Sequence, residues 1–313
     1  MSLAIIFNGQ GAHYEGMGQD FAEKFPIAQE VYEKVETITG YPIREIIKDD
    51  VQLLDQTRYA QVAIAATSLA IYKSIEKQLP AIDFMAGLSL GEYSSLIASG
   101  RFTFEEGFDV LKKRGQLMSD QCQTLGESSD IVMEVVLRMP LDEIKEVLAE
   151  VNKAKTELYL ANLNSSQQVI IAGTQDAVDR FKEIAREKGY KRMMPLKVEG
   201  PFHSPYMEAV CGPYAEVLAE INLHEGKVPV ISNTTVEPHS IDNMNSLLVR
   251  HLVEPVKWHE TIEYMVNNGI TKIIQIGPGK TLANLLKREP NAPATLVIDK
   301  VDDLSKLTEF IGG

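Results

Sequence analysis

The chain has 313 residues, 44% hydrophobic and 24% charged, which is enough for a large core and fits one large domain, or one large and one small. A net charge of −13 argues against nonspecific binding to nucleic acid or to anionic membranes. Cys122 and Cys211 are far apart and lack metal-ligand spacing, which suits a reducing cytosol and argues against a disulfide scaffold. Leu3 to Phe7 reads as a buried strand, with no basic segment and long apolar run before it, so no signal peptide is expected. No apolar run approaches the roughly 18 residues of a membrane span. Asn8-Gly9-Gln10-Gly11-Ala12-His13 follows as a turn. It is no dinucleotide fingerprint, because Tyr14 stands where the last glycine belongs. Two glycines directly after a buried strand still indicate backbone that approaches something closely.

Helices are expected near Ile27–Ile38 and Gln61–Gln78, and a strand over Ile82–Met85. Gly87-Leu88-Ser89-Leu90-Gly91 comes next, before a helical run over Tyr93–Ala98. Gly-x-Ser-x-Gly between a strand and a helix makes a sharp elbow with the serine at its tip. The free N–H groups of the helix start, including that of Leu90, point at any oxyanion formed there. An idle serine in a glycine-flanked turn is the bland alternative; the strand-before, helix-after context favours a nucleophile. Phe104–Leu117 reads as an amphipathic helix carrying Lys112, Lys113 and Arg114.

From about residue 127 the pattern changes. Strands at Ile131–Leu137, Leu158–Leu163, Val169–Ala172 and Arg192–Val198 alternate with helices at Leu141–Val151 and Asp176–Lys188. This βαββαβ order is ferredoxin-like. It predicts a small subdomain over 127–196 inserted in a larger α/β body of 1–126 and 197–313. The body resumes with the breaker-rich loop Gly200-Pro201-Phe202-His203-Ser204-Pro205 and a helix from Tyr206. A strand at Val228–Ser232, helices near Ser246–Leu252 and Glu260–Asn267, and a strand at Lys272–Ile276 follow. Gly277-Pro278-Gly279-Lys280-Thr281 turns into a final helix; a phosphate loop would need glycine where Ile274 stands.

A serine hydroxyl needs a base near neutral pKa. Of six histidines, His203 is the best placed, in a constrained loop after a strand. His224, His239 and His259 read as surface residues. No aspartate is singled out to orient the base, and a backbone carbonyl can serve instead.

Taken together, Gly9-Gln10-Gly11, Gly87 to Tyr93, Lys113-Arg114-Gly115, Asn162-Leu163-Asn164-Ser165, Phe202-His203-Ser204, Pro255-Val256-Lys257-Trp258 and Gly277 to Lys280 resemble, in order and separation, the malonyl-CoA:acyl carrier protein transacylases. The resemblance runs nearly end to end and points to the free-standing type of bacterial fatty acid synthesis. It implies an α/β-hydrolase-like body, mostly parallel in its sheet, with an inserted ferredoxin-like subdomain. It also implies a ping-pong transfer of malonyl, with Ser89 as nucleophile and His203 as base. Gln10 and Leu90 would supply the oxyanion hole, and Arg114 would clamp the malonyl carboxylate. Phe202, Asn162 and His251 would line the substrate pocket, Phe202 favouring malonyl over methylmalonyl. The implied partners are malonyl-CoA as thioester substrate and acyl carrier protein, with no bound cofactor or metal, no nucleic acid, no membrane and a cytoplasmic location. A serine thioesterase, a polyketide acyltransferase acting in trans and a non-catalytic relative are the alternatives.

Four positions depart from the family pattern. Leu88 stands where histidine is usual. Asn8 replaces a proline, for which a local change of turn stiffness is expected. His251 replaces glutamine in the segment whose main-chain carbonyl orients the base. Glu127-Ser128-Ser129-Asp130 replaces a glycine-rich stretch.

Overall fold

The computed structural model describes residues 2–128 and 130–312. Strands are numbered in chain order. β1 (Leu3–Phe7), β2 (Phe84–Gly87), β7 (Lys272–Ile276) and β8 (Ala294–Ile298) form a parallel sheet in the order β2-β1-β7-β8. All five residues of β1 are buried, as a continuous apolar run in the middle of a parallel sheet requires. Each such large side chain removed from water contributes about 1.5–3 kcal/mol. Phe7 is in register with Gly87 on one side and Ile276 on the other. The loops that leave β1, β2 and β7 therefore start side by side at the carboxyl edge, where open parallel sheets bind ligands.

The helix Leu90–Ser99, buried at every residue, leaves the β2 elbow and stops at Gly100, whose φ of 81° is the left-handed cap that glycine adopts readily. Helix Thr57–Ile75 is buried nearly all round and packs against helix Phe104–Ser128. A Cβ at Gly115 would come within 3.0 Å of the Arg58 Cα, so the two helices approach closely there.

A second, antiparallel sheet has the order β4-β5-β3-β6, from β3 (Ile131–Leu137), β4 (Leu158–Ser165), β5 (Gln168–Thr174) and β6 (Met193–Pro195). Strand alternation divides its faces. Val136, Val169 and Ile171 pack with Ile144, Val147, Val178 and Phe181 of helices Leu141–Val151 and Gln175–Glu187. Met133, Val135, Ala161, Ile170 and Ala172 face the other way. β4 is tied to the rest of the chain by Leu163 N–H to Val256 O (2.8 Å) and Val256 N–H to Ala161 O (2.9 Å). The fold is thus α/β, with a parallel sheet and a small antiparallel one.

Several boundaries differ from the sequence expectation. Helix Phe104–Ser128 runs past Leu117 because nothing in its polar second half breaks it. Val228–Ser232 forms no full strand; Pro229 has no N–H, and pairing with β2 is confined to a bridge at Met85 and Val230. The expected strand Arg192–Val198 shrinks to Met193–Pro195, again ending at a proline. The helix after Gly277–Lys280 is not the last: edge strand β8 and helix Leu307–Gly312 follow, after a segment broken by Pro290 and Pro293. Helices Gln19–Lys24 and Ile43–Asp49 are too short to register as periodic patterns. Ser129 and the Ser128 side chain, within the departing stretch at 127–130, lie outside the described residues. Among the described residues, no helix is long and apolar enough to cross a membrane.

A Cβ at Gly91 would collide with the Phe7 carbonyl of β1. Gly91→Ala is expected to lower unfolding free energy by about 3 kcal/mol, the upper end of overpacking costs, in urea titrations. A loss under about 0.5 kcal/mol would show that the elbow and β1 are not in tight contact.

Candidate active site

Ser89 sits between the end of β2 and the first helical residue, Leu90, at φ 55° and ψ −108°. For a non-glycine residue this conformation costs about 1–3 kcal/mol and persists only where neighbours over-determine it. Those neighbours are visible. A Cβ at Gly87 would collide with the Gly91 carbonyl, and one at Gly9 with the Leu88 carbonyl. Asn233 Oδ1 accepts the Ser89 N–H at 2.7 Å, and Asn233 Nδ2 donates to the Gly87 carbonyl at 2.8 Å. One amide side chain therefore grips both arms of the turn.

Ser89 Oγ lies 2.7 Å from His203 Nε2, and His203 Nδ1 lies 2.7 Å from the His251 carbonyl. A carbonyl only accepts, so Nδ1 carries the proton and Nε2 is free to accept from the serine. His203 has φ 59° in its proline-flanked loop, where Ser204 Oγ donates to the Pro201 carbonyl at 2.5 Å. Burial, and then the positive charge of Arg114, push the imidazole down to about 3; the His251 carbonyl offsets part of this. His203 is thus neutral and able to accept a proton throughout the ordinary pH range.

Arg114 is 1% exposed. Its guanidinium lies 4.8 Å from the centre of the Tyr93 ring, and Nη1 donates to Gln61 Oε1 at 2.6 Å. Nε and Nη2 are buried with no hydrogen-bond partner, and no carboxylate among the described residues pairs with this residue. Its neighbour Lys113 turns outward to Asp109 instead. A buried, uncompensated cation is costly, and an anion entering the cleft can relieve that cost. Gln61 is held in turn by Thr57, whose hydroxyl donates to Gln10 Oε1 at 2.9 Å.

Ser89, His203 and Arg114 open on one cleft of about 410 Å³, which Gln10, Leu90, Asn162 and Phe202 also line. Met133, Val135 and Ile170 of the antiparallel sheet form apolar wall. Arg114 and Lys197 line the cleft, and no acidic side chain among the described residues does. Leu90 is the first helical residue, so its N–H has no acceptor within the helix.

His251 corrects the expectation of a pocket residue. Its ring is fully buried behind His203, with ring centres 4.8 Å apart, and is not part of the cleft lining. Burial first, and then the cost of placing a further positive charge beside His203 and Arg114, push its imidazole well below the ordinary range. His239 corrects another: it is 2% exposed, with Nε2 2.5 Å from Glu92 Oε1. His224 does lie at the surface, its side chain 46% exposed. Asn8 does more than change turn stiffness. It is buried, donates to the Pro278 carbonyl at 2.6 Å and accepts from Leu282 N–H at 3.2 Å, joining the β1 and β7 loops. Leu88 packs on the apolar cluster of Ile231, Val256 and Trp258 while lining the cleft. Gln61, Glu92 and Asn233 escaped sequence reasoning because no short motif contains their partners. The one available signal was Asn233 at the end of an apolar run.

The family described as "Acyl transferase domain" matches residues 4–297. The malonyl CoA-acyl carrier protein transacylase of Bacillus subtilis (strain 168) is 34% identical over 298 residues, 95% of this chain and 93% of that protein. The crystal structure of MCAT from Streptococcus pneumoniae superposes with a TM-score of 0.93 at 37% identity, covering 98% of this chain and 99% of that one. A type II PKS acyl-carrier protein in complex with its malonyl-transacylase contains a chain with a TM-score of 0.92 at 30% identity, covering 100% of both. The chain belongs to the acyl transferase family, among the malonyl CoA-acyl carrier protein transacylases.

Proposed function

We propose that this chain transfers malonyl from malonyl-CoA to the phosphopantetheine thiol of acyl carrier protein through a malonyl ester on Ser89. The observation that carries the reading is Arg114: a buried guanidinium with two unpaired nitrogens, in a cleft shared with the Ser89–His203 pair and without acidic lining among the described residues. A rigid guanidinium fork suits the free carboxylate of a malonyl group better than an ammonium does. An acyl group without that carboxylate leaves the cation unpaired.

In the first half-reaction Ser89 Oγ attacks the thioester carbonyl and its proton passes to His203 Nε2. The carbonyl oxygen becomes an oxyanion facing the N–H groups of Gln10 and Leu90, each worth roughly 3 kcal/mol in the transition state. Collapse breaks the C–S bond, and the CoA thiolate takes the proton back from His203. In the second half-reaction the carrier thiol attacks the ester while His203 accepts its proton, and Ser89 recovers it as the C–O bond breaks. The His251 carbonyl steadies the imidazolium in both. A bound carboxylate cancels the charge of Arg114, the second cause of the low His203 pKa, so the base strengthens as the correct substrate arrives.

We read residues 1–126 and 197–313 as the catalytic body and 127–196 as a small subdomain whose sheet covers the cleft and limits water. Phe202, 7% exposed on the cleft, narrows the room beside the malonyl α-carbon and favours malonyl over methylmalonyl. Lys191, Arg192, Lys197, Lys287 and Arg288 are exposed and are candidates for meeting an acidic carrier protein. Free Cys122 and Cys211 fit a cytoplasmic enzyme.

Incubation with malonyl-CoA is expected to add one malonyl group to Ser89 by intact mass, and none in Ser89→Ala. Arg114→Ala should slow malonyl loading on the order of a hundredfold or more while acetyl loading falls far less. Equal losses for both acyl groups would remove Arg114 from carboxylate recognition.

The pH profile offers a separate check. With His203 pushed down to about 3 in the free enzyme, kcat/KM for malonyl-CoA should stay within about twofold from pH 8 to pH 5. An acid limb centred near 6.5 would mean that the base keeps its ordinary value. The sign for stability is opposite to that of a paired histidine. The unfolded chain takes up this proton first, so the contribution of His203 to stability declines as pH falls from 6.5 towards 3.

A further inference from the structure

Glu92 is the third residue of the elbow helix and is fully buried, yet it lies off the cleft. A buried carboxylate must be supplied with donors. Oε1 accepts from His239 Nε2 at 2.5 Å. Oε2 accepts the Asn233 backbone N–H at 3.2 Å and stands 3.5 Å from His251 Nδ1. Each neighbour of Oε2 leads to a different half of the catalytic pair. Asn233 holds the Ser89 N–H and the Gly87 carbonyl. His251 supplies the carbonyl that receives the Nδ1–H of His203, and its ring packs on the His203 ring. Glu92, His239 and His251 touch no substrate surface, and none of the acylation steps uses their side chains.

We infer that Glu92, held by His239, is a positioning residue that fixes the Ser89 elbow and the His251 carbonyl that orients His203 in one mutual register. The inference rests on Ser89 and His203 being nucleophile and base. Three separate stretches, the helix after Ser89, the 233–239 loop and the end of helix Met244–Arg250, meet at this one carboxylate. Because a misplacement of about 1 Å can cost on the order of a hundredfold in rate, a brace of this kind acts on chemistry more than on substrate binding. Both hydrogen-bonded partners of Glu92 are donors. An amide in its place must turn its NH₂ group towards one of them and lose that bond.

The test is single-turnover malonylation of Ser89, followed by quenching and intact mass over a range of malonyl-CoA concentrations. Glu92→Gln and Asn233→Ala should each slow the malonylation step by about a hundredfold, with the dissociation constant for malonyl-CoA changed less than about threefold. Since the Asn233 branch of the brace is common to both, their effects should overlap, and the double variant should fall well short of the product of the two losses, no more than about tenfold slower than the slower single variant. His239→Gln, which keeps a donor for Oε1, should stay within about threefold of the parent, whereas His239→Ala should be about tenfold slower. Multiplying effects in the double variant, a parental rate in Glu92→Gln, or a loss confined to the dissociation constant would overturn the inference. Should Glu92→Gln or Asn233→Ala not fold, the His239 pair decides: equal rates for Gln and Ala refute it. A parent that takes up no malonyl group contradicts the Ser89 assignment instead, so the two failures are told apart within one series.

Discussion

Ser89 holds a left-handed backbone conformation that no L-residue prefers, and the rest of the site is arranged around keeping it there. The constraint is steric first. Backbone from β1, its loop and the elbow helix crowd the turn so closely that Gly9, Gly87 and Gly91 have no room for a Cβ. It is polar second, through the two hydrogen bonds of Asn233. The parallel sheet makes this possible by ending β1, β2 and β7 in register, so that three loops reach one point. Asn8 then joins the first loop to the third.

Charge is arranged locally against the global balance. The chain carries −13 overall, yet its cleft holds Arg114 and Lys197 with no acidic lining among the described residues. Arg114 lies on the helix Phe104–Ser128 where Gly115 lets it approach helix Thr57–Ile75, and Gln61 and the Tyr93 face fix its plane. The same charge lowers the basicity of His203, an effect that a bound anion would cancel in the proposed reaction. In the proposed reaction, selection for a carboxylated acyl group and activation of the base therefore share one cause. A carbonyl rather than a carboxylate behind His203 suits this design: it fixes the tautomer without adding a negative charge that would compete for Arg114.

Much of this was legible in the sequence, for reasons that differ by element. β1 is an apolar run, and β3 and β7 are largely apolar; the limits read from sequence coincide with all three strands. The elbow is a local motif, and local geometry follows local sequence. His203 could be chosen only because its loop was visibly constrained, and Arg114 was indistinguishable from Lys112 and Lys113 without the family resemblance. β8 is as long as β1 and β7, but it stayed hidden because it follows directly on a segment broken by Pro290 and Pro293. His239 looked like a loop residue at the surface; its burial depends on Glu92, 147 positions earlier. Contacts of that range carry no periodicity and no spacing rule. For the same reason the side chain of His251 was expected in the pocket, when the fold turns it behind the base.

In the proposed reaction the malonyl-Ser89 ester is an intermediate in transfer rather than in hydrolysis. The direct measurement is to isolate the malonyl-enzyme and follow its decay with and without holo acyl carrier protein. Loss of the ester to the carrier thiol should outpace loss to water by on the order of a thousandfold or more, with malonyl recovered on the carrier. Decay at the same rate with and without carrier protein would contradict the account and make the enzyme a hydrolase built on the same elbow.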